Sequence, residues 1–113
     1  MAITERLDEL MKEKKPYLKH DYSLDAMARD IDVSPWLLST VLNKGLGTNF
    51  NRYLNRFRIL YCLEILEDGE HKTKSIEGIA RECGFNNRNS FTQSFKLNQK
   101  KTPSAYIRER YRD

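Results

Sequence analysis

Two segments of the chain carry side chains of the kind that contact the edges of nucleic-acid bases. In the later segment, Arg88, Asn89 and Gln93 each end in a planar group that can make two parallel hydrogen bonds to one guanine or adenine. The earlier segment offers an aromatic ring and a side-chain amide, in Trp36 and Asn43. Phosphate oxygens are the main alternative partners for the later group. The residue types therefore predict contact with a nucleic acid, provided that a framework holds both segments on a surface.

Other kinds of chemistry lack the residues that they need. The cysteines, Cys62 and Cys83, lie far in sequence from each other and from His20 and His71, whereas metal ligands cluster at short spacing. The sequence has no glycine-rich phosphate loop and no evident pair of acids, so we expect no catalysis, no metal and no cofactor. We interpret each cysteine as a small buried side chain in a reducing cytoplasm.

The distribution of charge favours a polyanionic partner. The net charge is only +4 at pH 7, but residues 33–63 and 83–108 contain no acid. The basic residues of these segments are Lys44, Arg52, Arg56 and Arg58 in the first, and Arg88, Lys96, Lys100, Lys101 and Arg108 in the second. The alternative is ordinary solvated surface, which usually mixes both signs. Two basic segments separated by an acidic one indicate two faces that meet a nucleic acid.

An internal repeat explains why there are two such segments. Four apolar residues recur at one constant spacing, Leu24, Met27, Ala28 and Val33 as Ile76, Ile79, Ala80 and Phe85. With one residue added at a turn, the next three recur as well, Leu38, Leu42 and Tyr53 as Phe91, Phe95 and Tyr106. Two copies are too few for a solenoid, so one structural unit is used twice.

Each copy is predicted to form two short helices joined by a tight turn. The capping residues are Ser23 and Ser34 in the first copy, and Ser75 with Asn86 or Asn87 in the second. Pro35 follows Ser34 at the first helical position, where proline is tolerated. Val33 and Phe85 fill the two turns, and Gly84 gives the second turn its backbone freedom. This arrangement is the helix-turn-helix plan.

Three further helices complete an all-α prediction of about seven helices. An amphipathic first helix ends before Pro16, a longer one runs from Thr48 or Asn49 to about Leu66, and a last short one begins at Pro103. The longer helix has a wide apolar sector, as expected of a helix packed between two small units. The predicted organisation is an N-terminal helix and connector (1–20), a first helix-turn-helix (21–47), a linker helix (48–68) and a second helix-turn-helix with a C-terminal helix (69–113).

Short sequence motifs run through both copies, from about Tyr22 to Arg108. The most specific are Ile79-Ala80, Cys83-Gly84-Phe85, Phe91, Phe95-Lys96 and Thr102-Pro103-Ser104-Ala105-Tyr106. The first copy contributes Leu38-Ser39, Leu42, Asn43-Lys44, Leu46-Gly47, Phe50, Tyr53-Leu54 and Arg58-Ile59. Together these residues resemble the DNA-binding domain of the AraC/XylS family of bacterial transcription regulators. The resemblance implies sequence-specific binding of double-stranded DNA, with one reading helix from each unit in each of two successive major grooves.

Helical geometry then separates core residues from contact residues. The outward-facing residues predicted to read bases are Trp36, Ser39, Thr40, Asn43, Arg88, Asn89, Thr92 and Gln93. Those predicted to contact phosphate are Lys44, Thr48, Arg52, Lys96, Lys100, Lys101 and Thr102. The alternative for Trp36 is burial against the first helix. The resemblance implies a structural role for Arg58, for which we expect a salt bridge with an acid.

Two features depart from the family's pattern. Thr40 and Gln93 stand where many relatives have a long arginine or glutamine, and Thr40 is short enough to reach only phosphate or a thymine methyl. Lys100 replaces an expected glycine, although lysine is a poorer left-handed residue. The alternative function is that of a small regulator whose second unit only clamps phosphate or docks on RNA polymerase.

The run Leu10–Leu18 resembles the segment by which such domains join upstream sensors. We therefore expect the C-terminal output domain of a longer regulator, with activation as its effect and with dimerisation possible through the upstream part. A free-standing cytoplasmic regulator is the alternative. We expect no contact of this domain with a membrane, because the aromatic residues beside the arginines are needed in the core.

Overall fold

Seven α-helices make up the part of the chain that the computed structural model describes, residues 2–111. They are α1 (Ile3–Glu13), α2 (Leu24–Asp30), α3 (Pro35–Thr40), α4 (Phe50–Glu67), α5 (Ile76–Glu82), α6 (Arg88–Gln99) and α7 (Pro103–Arg110). Short 3-10 turns lie at Pro16–Leu18 and Glu70–Lys72. No strand occurs within residues 2–111, and the all-α prediction is confirmed.

The helices of both copies begin at side-chain caps. Ser23, Ser34 and Ser75 each accept a hydrogen bond from the backbone amide three residues on, at 3.1, 3.1 and 3.0 Å. Asn87 caps α6 in the same way at 2.9 Å, which settles the choice between the two asparagines. Each cap satisfies an amide that the first helical turn would leave without a partner. The predicted starts of these four helices are confirmed.

Helix α4 joins two separate hydrophobic cores. The first core gathers residues of α1, α2, α3 and the connector, and α4 contributes Leu54 to it. The second gathers residues of α5 and α6, and α4 contributes Ile59, Cys62, Ile65 and Leu66. The first half of this wide apolar sector therefore packs in one core and the second half in the other. The result is an elongated molecule that measures 48 × 23 × 23 Å.

Helix α3, the first reading helix, is only six residues long. Regular α-helix ends at Thr40, and Val41–Gly45 form a π-helical turn in which the Leu46 amide donates to the Val41 carbonyl at 3.0 Å. The Asn43 side chain donates to the Ser39 carbonyl at 2.9 Å, so a side chain competes there for a helical acceptor. The helix thus widens directly after the polar residues Ser39 and Thr40.

The prediction of a salt bridge for Arg58 is wrong. Its guanidinium is buried and donates to three neutral oxygens, the backbone carbonyls of Tyr17 and Lys19 and the side-chain oxygen of Asn55. Desolvation lowers the pKa of Arg58 below its usual range. No described acid is paired with it, because the connector's free carbonyls already supply acceptors. The expected structural role remains, with a different chemistry.

Candidate nucleic-acid interface

Helix α6 presents a row of polar side chains on the face opposite its core residues. Phe91 and Phe95 are almost completely buried, which turns Arg88, Asn89 and Gln93 toward solvent. Within residues 2–111, none of these three side chains makes a hydrogen bond to protein, so their donors and acceptors remain available. Thr92, the fourth residue predicted to read bases here, is half-buried.

Helix α3 presents a different chemistry. Trp36 is 75% exposed, so the alternative that placed it against the first helix is wrong. Ser39 and Thr40 are half-buried, and the Thr40 hydroxyl donates to the Trp36 carbonyl at 2.9 Å. The Asn43 amide group donates to the Ser39 hydroxyl as well as to its carbonyl, at 3.2 Å. The surface of α3 and of the π-helical turn after it therefore offers the Trp36 ring with its indole N–H and the carbonyl oxygen of the Asn43 side chain, whose amide donors are already engaged.

The residues predicted to contact phosphate lie in unequal surroundings. Lys44, Arg52, Lys96 and Lys100 are exposed, while Thr48 is half-buried. Lys101 is exposed but forms an ion pair with Glu109. The Thr102 hydroxyl accepts from the Ala105 amide at 3.2 Å as the cap of α7. Lysines without a carboxylate partner are the better phosphate ligands, because a paired one must first exchange its partner.

Lys100 adopts the left-handed conformation that the sequence indicates for its position. Its φ is 65°, and its amide donates to the Lys96 carbonyl at 2.8 Å to end α6. Lysine thus takes the place of the expected glycine without loss of the helix end. The Lys100 ammonium donates to the Leu97 carbonyl of α6 at 3.4 Å, whereas the Lys101 ammonium pairs with Glu109 in the last turn of α7.

Acidic residues of the second half are largely engaged in ion pairs of their own. Lys74 pairs with Glu70 and Glu82, and Arg110 lies 2.8 Å from Glu67. The hydrogen bond from Arg110 is the main cause that lowers the pKa of Glu67. In the described chain, Arg88, Lys96 and Lys44 form no ion pair, which leaves their positive charge for an outside partner.

Arg81 is a candidate contact that the sequence analysis missed. This exposed side chain lines a groove of about 210 Å³ together with Asn86, Asn87 and Arg88 at the start of α6. Glu77 also lines the groove. Selection of acid-free segments excluded Arg81, because Glu82 is its neighbour in sequence. The nearness of two arginines to one helix start could be found only from the fold.

The cysteines are distant in sequence but adjacent in the second core. Both are completely buried, and the pKa of the Cys83 thiol is raised by a hydrogen bond with Cys62 and by desolvation. A buried neutral thiol is a poor nucleophile and a poor metal ligand. Within residues 2–111, no cluster of three or more His, Cys, Asp or Glu side chains could hold a metal ion. No helix of this part is long and apolar enough to cross a membrane.

Two helix-turn-helix units joined by one long helix define a class of DNA-binding domains in transcription regulators. A family profile described as a helix-turn-helix domain matches residues 27–109, and the chain belongs to this AraC-type family of DNA-binding transcription regulators. Regulatory protein PocR of Salmonella typhimurium is 33% identical over 90 residues, which cover 80% of this chain but 29% of PocR. The chain therefore spans less than a third of that relative's length.

Solved structures share the whole fold. The C-terminal domain of AraT, a response regulator from Geobacillus stearothermophilus, superposes with a TM-score of 0.75 at 25% identity, covering 97% of this chain and 89% of that one. The DNA-binding domain of AdpA, solved in complex with a target DNA, superposes with a TM-score of 0.72 over 96% of this chain and 94% of that one. At 18% identity, this second likeness concerns the fold alone.

Proposed function

We propose that the chain reads two successive major grooves of one DNA site, with α3 in one groove and α6 in the next. The observation that carries the proposal is the repeat, in which the same capped helix pair recurs at each end of a linker helix. The 48 Å length of the molecule suits two grooves that lie roughly 34 Å apart on one face of the duplex. Within this arrangement, Arg88, Asn89 and Gln93 supply most of the base recognition.

The remaining predicted contacts divide into readers and clamps. On the first unit, Trp36 packs on sugar or a thymine methyl and Asn43 accepts through its carbonyl oxygen, while Ser39 and Thr40 support them. Thr92 lies beside Gln93 as a minor reader. The phosphate clamps are Lys44, Thr48, Arg52, Lys96, Lys100, Lys101 and Thr102, and we add Arg81 to them.

The relatives of the domain support a proposal for its biological setting. We infer that it is the output domain of a longer cytoplasmic regulator, that it activates transcription, and that it catalyses no reaction. Support for the output role comes from PocR, a regulatory protein of which the matched part is 29%, and from AraT, a response regulator of which the matched part is the C-terminal domain. Support for activation comes from RhaR of Escherichia coli, a transcriptional activator that is 28% identical over 100 residues. Dimerisation would then be a property of the part upstream.

Selection of bound duplexes from a random pool, followed by hydroxyl-radical footprinting, tests the central proposal. We expect an asymmetric site with two protected patches on one face of the DNA, about one helical turn apart. Protection of a single groove, or recovery of no preferred sequence, contradicts it.

Docking of the second unit on RNA polymerase is the second candidate. The side chain that favours it is Leu97, which is 63% exposed on α6 next to Lys96. Leu97→Ala then lowers activation of a promoter in cells without changing DNA affinity. An equal loss in both measurements argues against this role.

A further inference from the structure

Arg58 lies on α4 where the first hydrophobic core gives way to the second. Leu54, one turn before it, belongs to the first core, and Ile59, directly after it, belongs to the second. The Arg58 side chain is only 9% exposed. A buried guanidinium at the boundary between two cores is costly unless its donors are satisfied. Its partners therefore show what it holds together.

On the side of the first unit, Arg58 donates hydrogen bonds to the connector between α1 and α2. Its Nε donates to the Tyr17 carbonyl at 2.7 Å, and its Nη2 donates to the Lys19 carbonyl at 3.0 Å. The Tyr17 ring is buried in the first core and stacks on Phe57 with ring centroids 5.6 Å apart. The backbone that Arg58 holds is thus fixed to the first unit by its own side chain.

On the side of the second unit, the turn between α5 and α6 packs against the same connector. A Cβ atom added to Gly84 would lie 2.3 Å from the Tyr17 carbonyl oxygen and 3.0 Å from the Nε of Arg58. The Phe85 ring, buried in the second core, lies 5.6 Å from the central carbon of the guanidinium. Gly84 is therefore needed for a close approach as well as for its φ of 98°.

We propose that Arg58 is a positioning residue that fixes the second helix-turn-helix unit relative to the first. By doing so it sets the spacing and rotational phase of the two half-sites that the protein accepts. The inference rests on the proposed reading of two grooves. The planar guanidinium suits the task because three hydrogen bonds and one ring contact determine its orientation, whereas a lysine ammonium has no such plane.

The wild-type protein tests the proposal first. One inserted base pair rotates one half-site by about 35° and moves it by about 3.4 Å relative to the other. We expect insertion or deletion of one base pair between the selected half-sites to lower affinity at least tenfold, close to the affinity for a single half-site. If the wild-type protein binds all these spacings equally well, the two units are not fixed and the proposal fails.

The variant Arg58→Lys then tests the residue itself. It keeps the charge but loses two of the three hydrogen bonds, so we expect at least a tenfold loss on the two-half-site duplex, less than a twofold change on a single half-site, and a weaker spacing preference. Arg56→Lys is the matched control, because Arg56 is exposed on the same helix. It should leave both affinities unchanged.

The outcomes separate this inference from the function on which it rests. Equal losses of Arg58→Lys on both duplexes, or no loss on either, overturn the positioning role. If Arg58→Lys does not fold, the wild-type spacing series decides alone. Failure of the wild-type protein to select any sequence contradicts the proposed function instead, and that result is visible before any spacing is varied.

Discussion

Val33 and Phe85 are equivalent residues of the two turns. The Val33 amide donates to the Ala28 carbonyl and the Phe85 amide to the Ala80 carbonyl, each at 3.0 Å. The two turns thus share this hydrogen bond, and a left-handed residue precedes it in each, Asp32 with a φ of 58° and Gly84 with a φ of 98°, while the helices that follow differ. Helix α6 continues for 12 residues, whereas α3 ends after 6 and opens into the π-helical turn. We therefore expect the two units to contribute unequally to recognition.

The exposed polar side chains of α6 should carry most of the sequence preference. Replacing Arg88, Asn89 or Gln93 with alanine should each cost about 1–3 kcal/mol of binding free energy on the selected site and relax the preference at one position. Binding to a library of single-base variants measures both effects. Lys96→Ala is the control on the same helix, and it should weaken all sequences alike. If the three reader variants also weaken all sequences alike, they are clamps.

Lys44 should act on every sequence equally, because it is exposed and has no ion-pair partner among the described residues. Lys44→Gln should weaken specific and random DNA by similar factors and reduce the slope of log affinity against log salt by about 1. Titrations at several salt concentrations give the slope. Lys72→Gln removes an equal charge from the 3-10 turn after α4 and should leave the slope unchanged. A slope unaffected by Lys44→Gln would remove this residue from the clamps.

Phe91 should be essential to the stability of the second unit. It is 1% exposed and makes edge contacts with Phe85 and Phe95 at centroid distances of 5.4 and 5.8 Å. Phe91→Ala should lower the free energy of unfolding by about 3–5 kcal/mol, measured by denaturant titration. Leu97→Ala, on the exposed face of the same helix, should change it by less than about 0.5 kcal/mol. Similar losses in both variants would contradict the orientation of α6.

The sequence predicts the parts of this fold that depend on local rules. Helix starts follow from a capping residue beside an apolar period, and the repeat identifies the two turns, so these were found without knowledge of the packing. The exposure of Arg88, Asn89 and Gln93 follows from the burial of two phenylalanines at helical spacing. Each of these inferences needs only the order of residue types along the chain and no contact between distant segments.

Several features that the sequence did not predict depend on contacts that form only when the chain folds. The carbonyl groups that satisfy Arg58 belong to a connector about forty residues earlier, and no side-chain pattern marks a backbone acceptor. The close approach of Gly84 to Tyr17 could not be predicted from the sequence either, because the tight turn alone is a sufficient reason for a glycine at this position. The ion pair of Lys101 with Glu109 depends on how α7 packs after its cap. Charge patterns alone could not separate this lysine from the free ones.

Replacing Tyr53 with phenylalanine should stabilise the protein. Its hydroxyl is buried, and no hydrogen-bond partner for it occurs among the described residues. Tyr53→Phe should raise the free energy of unfolding by about 1 kcal/mol, because an unsatisfied polar group is removed. Tyr22→Phe is the matched control with the opposite sign, since the Tyr22 hydroxyl donates to Asp30 at 2.6 Å. Tyr22→Phe should lower the free energy of unfolding by about 1 kcal/mol.

Tyr53→Phe should also change how the free energy of unfolding depends on pH. Desolvation, with a smaller effect of the Asp8 carboxylate, raises the pKa of Tyr53 from 10.0 to about 12. The folded state therefore keeps the Tyr53 proton where the unfolded state loses it. Ionisation of this group leaves the free energy of unfolding unchanged below pH 10 and lowers it as the pH rises through 12. Unfolding titrations from pH 8 to 11 should show a shallower decline for Tyr53→Phe. An unchanged decline would mean that the Tyr53 hydroxyl is solvated.

Trp36 gives a direct optical test of the first reading helix. It is the only tryptophan of the chain and is 75% exposed at the start of α3, so its emission reports on that surface alone. Binding of the selected duplex should shift the emission to shorter wavelength or quench it, because a base edge or sugar displaces water from the ring.

Trp36→Ala should lower affinity while leaving the unfolding transition unchanged, since the ring contributes nothing to either core. Phe57→Trp in that background moves the fluorophore to the first core and is the control for unspecific quenching. If the emission of Trp36 in the wild-type protein does not change when the duplex binds, the first turn of α3 does not enter the groove, even if α6 does.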